Sequence, residues 1–73
     1  MEQFNSIFKW LRKLAKQGNV GAQIILGKMY ENGIGVKCDE AEAIKWYKES
    51  AKQGNVESQK KLKNIYDKKL LKK

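Results

Sequence analysis

Residues 9–30 read KWLRKLAKQGNVGAQIILGKMY, and residues 45–66 read KWYKESAKQGNVESQKKLKNIY. The two stretches align without a gap at an offset of 36 residues, and eleven of the 22 pairs are identical. The identities are Lys9/Lys45, Trp10/Trp46, Ala15/Ala51, the run Lys16–Val20 against Lys52–Val56, Gln23/Gln59, Leu26/Leu62 and Tyr30/Tyr66. Self-similarity at a fixed period of roughly 20–50 residues marks a stacked repeat, in which each unit buries its apolar face on its neighbour.

The apolar spacing inside and around the repeat is helical. Phe4, Ile7, Phe8, Leu11, Leu14 and Ala15 recur at three- and four-residue steps, and Trp10 widens that stripe beside Ile7 and Leu14. Ala22, Ile25, Leu26, Met29 and Tyr30 form a second stripe, and Ala43, Ile44, Tyr47 and Ala51, with Trp46 alongside, a third. Leu62, Ile65, Tyr66 and Leu70 form the fourth. Gly18-Asn19 and Gly54-Asn55 each end one helix and cap the next, because Gly takes the left-handed residue past a helix end and Asn accepts from orphan amides. Joins this short force antiparallel helix pairs. Gly33 is a helix stop, Asp39 with Glu42 reads as an Asp form of the capping box, and Glu40 favours the positive helix end. The expected helices cover about residues 3–17, 20–32, 40–53 and 56–70 of one all-α domain spanning residues 1–73.

Composition bounds the function. A chain of 73 residues hides only roughly 60% of its unfolded surface, and such a core yields no more than ~3–5 kcal/mol. The net charge of +8 is concentrated at one end: residues 1–59 carry nine Lys/Arg against seven Asp/Glu, residues 60–73 seven Lys against one Asp. A lone Cys38 cannot form a disulfide within the chain, which points to a reducing, cytoplasmic setting. No apolar run has the length of a membrane span, and Lys9, Arg12 and Lys13 interrupt any secretory leader.

Ala22, Leu26-Gly27, Met29-Tyr30, Gly33, Gly35-Val36, Asp39, Ala43, Trp46-Tyr47, Ala51 and Gly54 resemble, in order and spacing, the Sel-one-like repeat, a relative of the tetratricopeptide repeat. The resemblance covers about residues 8–66. It implies a short α-solenoid of stacked helix–turn–helix units, without catalytic activity, that holds other proteins as an adaptor or scaffold. The frame opens half a unit early, so the first helix takes the place of a second helix of a unit. In the fourth helix the pattern departs: Gly27 becomes Lys63, Ala22 becomes Ser58, and Ile24 and Ile25 become Lys60 and Lys61. A polar outer face of that kind is what a terminal capping helix requires. The two Cys per repeat of the secreted members are missing.

No constellation of residues supports catalysis, a cofactor or a metal. Asp39, Glu40 and Glu42 are explained by capping. Cys38 lacks a general base, and Ser6, Ser50 and Ser58 have no partner set. Gly27, Gly33 and Gly35 lack the strand and Lys-Ser/Thr of a phosphate loop. The packing that the repeat requires accounts for the first helix better than a membrane-surface role does.

The expected function is therefore protein binding, as an adaptor or as a small inhibitor or immunity-type factor. By analogy with tetratricopeptide arrays, the contact surface is a concave face made of Gln23, Ile24, Ile25, Lys28 and Glu31 on the second helix with Lys60, Asn64 and Asp67 on the fourth. Trp10, Leu26, Tyr30, Trp46 and Tyr66 are expected to be structural. The alternative is a basic patch of Lys60, Lys61, Lys63, Lys68, Lys69, Lys72 and Lys73 that binds nucleic acid or an acidic partner. With about two repeats where arrays need about three, the chain is expected either to self-associate or to be stabilised by its partner.

Overall fold

Two Gln-Gly-Asn turns set the architecture, and they are built alike. In the computed structural model, which describes the backbone of residues 2–71 and the side chains of residues 6–70, Gly18 and Gly54 take φ of 97° and 91°. Asn19 Oδ1 accepts the Ala22 N–H at 2.9 Å and Asn55 Oδ1 accepts the Ser58 N–H at 2.8 Å. The N–H of Asn19 reaches back to the Leu14 carbonyl at 3.1 Å, and that of Asn55 to the Ser50 carbonyl at 3.2 Å. Sequence identity in the turns has become identity of hydrogen bonds.

The turns separate α1 (Glu2–Lys16) from α2 (Val20–Asn32) and α3 (Glu40–Lys52) from α4 (Val56–Leu71). All four lie within two residues of the expected ranges, and no strand occurs among the described residues. Between α2 and α3, Gly33 takes φ 68° and its N–H bonds the Met29 carbonyl, as does the N–H of Ile34 at 2.9 Å. The capping box before α3 is only half formed. Asp39 Oδ1 accepts the Glu42 N–H at 3.2 Å, but the N–H of Asp39 donates to the Tyr30 carbonyl at 2.9 Å. The amide that a Glu42 side chain would have satisfied instead ties the loop to the end of α2.

Each helix packs on the next in sequence, with the α2–α3 contact the most extensive. Leu11 and Ala15 of α1, Ala22, Leu26 and Met29 of α2, and Trp46 of α3 form one buried cluster. Ala43 and Tyr47 of α3 with Ile65 of α4 form a second. Tyr30 packs against both and meets Phe8 edge-on, with ring centroids 5.7 Å apart. Large side chains buried in this way each contribute about 1.5–3 kcal/mol. The indole N–H of Trp46 has no acceptor among the described residues.

Four apolar side chains depart from the expected pattern. Trp10 is 61% exposed and Tyr66 41% exposed, where both were expected to be structural; Ile7 of the first stripe and Leu70, expected on an inner face, are also exposed. The 36-residue offset explains the pattern. α2 buries two stripes, Ala22, Leu26 and Met29 together with Gln23 and Gly27, while Tyr30 beside them is half-buried. On α4 the counterparts of the first stripe (Ser58, Leu62 and Ile65) are buried or half-buried, whereas Gln59, Lys63 and Tyr66 of the second are exposed. An end helix has one neighbour, so only one of its two faces is covered. Phe4 of the first stripe lies outside the described side chains.

Candidate protein-binding surface

The expected contact residues sort into three groups. Gln23 is the clearest correction, being only 2% exposed. Its Nε2 donates to the Ala15 carbonyl at 3.0 Å, and its Oε1 accepts from Gln53 Nε2 at 3.0 Å. A buried amide must be satisfied within the fold, and here it ties both Gln-Gly-Asn turns together. Gln59 repeats the first of these bonds on the Ala51 carbonyl at 3.3 Å, in an exposed setting. Gln23 therefore belongs to the frame.

Lys28 and Glu31 form the second group, since both reach across to α4. Lys28 Nζ pairs with Glu57 at 3.0 Å, and Glu31 accepts from Lys61 Nζ at 3.4 Å. Glu31 also accepts the Tyr47 hydroxyl at 2.7 Å, so one carboxylate joins α2, α3 and α4. Burial, then the hydrogen bond to Glu31, pushes the Tyr47 phenol well above its ordinary pKa of 10.0. Half-exposed ion pairs contribute about 0–1 kcal/mol each. Here they bridge α2 to α4.

The third group is open. Ile25 is 46% exposed on α2, with Ile24 half-buried beside it, and Lys60, Asn64 and Asp67 are exposed on α4. Exposed apolar and polar side chains are both used in protein contacts.

The Lys-rich end of α4 is not a uniform patch. Lys61 is turned onto Glu31, and Lys69 pairs with Glu40 of α3 at 3.3 Å. Lys60, Lys63 and Lys68 are exposed, with Asp67 among them. Lys72 and Lys73 lie outside the described residues.

Ser50 and Ser58, unpaired in the sequence reading, meet hydroxyl to hydroxyl in the second turn, both fully buried. Their counterparts at the first turn are Leu14 and Ala22, so the same join is apolar in one copy and polar in the other. The pair was signalled by the eight-residue spacing of Ser50 and Ser58 across a turn whose twin carries two apolar residues. Cys38 is exposed and its thiol donates to the Glu31 carbonyl at 3.2 Å. Among the described residues no cluster of His, Cys, Asp or Glu is able to hold a metal, and no helix is long and apolar enough to cross a membrane.

No curated protein and no solved structure matches the chain. The Sel1 repeat pattern matches residues 8–19 and 20–55. The second match spans α2, α3 and the turn that follows them, which makes that hairpin the complete unit and leaves α1 as the trailing helix of another. It stops at residue 55, ahead of the substitutions Lys60, Lys61 and Lys63 that set α4 apart. With the pattern covering most of the chain and the helical hairpins it requires in place, the protein belongs to the Sel1 repeat family.

Proposed function

We propose that the protein is a non-catalytic binding module that engages one protein partner through the exposed surface of α2 and α4. Sel1 repeats are non-catalytic repeats that mediate protein–protein interaction. The observation that carries the reading is the exposed Ile25 beside Ile24, with Lys60, Asn64 and Asp67 exposed on a helix that two ion pairs link to α2. A surface fixed before binding loses less entropy on association. Such a surface suits an adaptor, or a small inhibitor that masks a single target. The single cysteine, which cannot form a disulfide within the chain, supports a reducing compartment such as the cytoplasm.

The test is affinity capture from native lysate with nuclease present, comparing the wild-type chain with Ile25→Asp. A discrete protein that survives nuclease and moderate salt, and is lost with Ile25→Asp, is the expected outcome. Recovery that collapses under nuclease would transfer the function to Lys60, Lys63 and Lys68. Equal recovery by the variant would sink the assignment of the surface.

A further inference from the structure

Helix α3 turns Trp46, only 3% exposed, onto the cluster built on Ala22, Leu26 and Met29 of α2, while Ala43 and Ser50 beside it meet Ile65 and Ser58 of α4. At the end of the same side, Gln53 donates to Gln23 of α2. The 36-residue offset carries this stripe onto Ile7, Trp10, Leu14 and Gln17 of α1. There the stripe is open: Ile7 and Trp10 are exposed, Leu14 is half-buried and Gln17 is exposed. α1 thus retains, in Trp10 and Gln17, the counterparts of the two groups that α3 turns to α2, both exposed, with Ile7 exposed beside them and Leu14 packed in part on the α1–α2 cluster. The opposite end of the array has not kept its half of that contact. Where α2 presents Gly27 to Tyr47, α4 presents Lys63.

The charge beside the stripe selects its occupant. Lys9, Arg12, Lys13 and Lys16 line a shallow groove of ≈ 340 Å³ along α1, and residues 6–16 carry no acid. A second copy stacked head to tail would bring the uncovered face of its α4, with Lys63 and the exposed Lys60 beside it, against these four cations. A copy docked α1 on α1 would set four cations against four. Both arrangements are opposed by like charge at close range. We propose that the open side of α1 is a docking site for an acidic amphipathic helix of a partner protein. That helix lies on Ile7, Trp10 and Leu14 as α2 lies on Trp46, and its carboxylates meet Lys9, Lys13 and Lys16. The site extends the protein-binding reading to a second surface that shares no residue with the first.

The probe is a fluorescein-labelled peptide of residues 20–32, the helix that covers Trp46, held helical by a hydrocarbon staple between positions 21 and 25. It carries Ile24→Glu and Lys28→Glu. A basic twin carries Ile24→Lys and Glu31→Lys and keeps the same seating face. Anisotropy titration against the full chain should give saturable binding of the acidic peptide, weakened by added salt, and none of the twin. Trp10→Ala should weaken it roughly 30-fold, the scale of an aromatic anchor, without moving the melting temperature. Lys9→Glu with Lys13→Glu should weaken it by about tenfold or more. Ile25→Asp should bind the peptide as the wild type does, which separates this site from the α2–α4 surface. Equal binding of the two peptides, or wild-type affinity in Trp10→Ala, would overturn the proposal. So would a dimer of the chain alone that Trp10→Ala abolishes, since the occupant would then be a second copy.

Discussion

At Gly27 a single methyl group is decisive. A Cβ there would sit 2.5 Å from Tyr47 Cε1 and 2.8 Å from Cδ1, inside the ring's van der Waals surface. Gly27→Ala therefore forces the ring aside and should cost about 1–3 kcal/mol, read as a lowered midpoint in denaturant titration. An unchanged midpoint would show that the α2–α3 contact is looser than drawn. Tyr47 also makes stability sensitive to alkali. Its folded-state pKa is raised above 10.0, by burial first and by Glu31 second, so the unfolded chain releases the phenolic proton at a pH where the fold retains it. The stabilisation is complete below about pH 10 and declines above it. Melting curves from neutral to strongly alkaline pH should fall more steeply for the wild type than for Tyr47→Phe; parallel curves would refute the linkage. The close approach at Gly27 was legible in the sequence as a family glycine. The roles of Gln23 and Glu31 were not, because each depends on which groups from other helices arrive beside it.

Among the elements, α1 and α3 form an internal control, since one sequence pattern occupies two environments. Trp46→Ala empties a buried site and should cost about 3–5 kcal/mol, whereas Trp10→Ala should stay within about 0.5 kcal/mol of the wild type. Trp46→Phe should cost far less than Trp46→Ala, since it also removes a buried donor without an acceptor. Thermal or denaturant unfolding of the three variants checks the order. Element boundaries were legible, since Gly and Asn at the two turns and Gly33 and Asp39 at the loop act locally. The exposure of Trp10, Tyr66 and Leu70 was not legible. Periodicity shows which face of a helix is apolar, and only the number of neighbouring helices decides whether that face is covered. Nor did a capping motif reveal that the Asp39 amide would be drawn to Tyr30.

The molecule as a whole is a slab with extents of 39 × 26 × 14 Å, little more than two helix layers deep. Such a body has few residues fully out of water, so a bound ligand would add a large share to its stability. A ligand present at about a hundredfold over its Kd adds roughly 2.7 kcal/mol. The acidic stapled peptide should accordingly raise the melting temperature of the wild-type chain and leave that of Trp10→Ala unmoved; a shift of equal size in both would place the binding elsewhere. The two tryptophans, set at the extremes of burial, have an optical consequence. Trp46, sealed among aliphatic side chains, emits at shorter wavelength and is shielded from iodide; Trp10, in water, emits at longer wavelength and is open to quenching. The unmodified chain thus carries two separable lamps: the quenchable one dims or shifts when something lies on α1, and the shielded one changes only when the array comes apart.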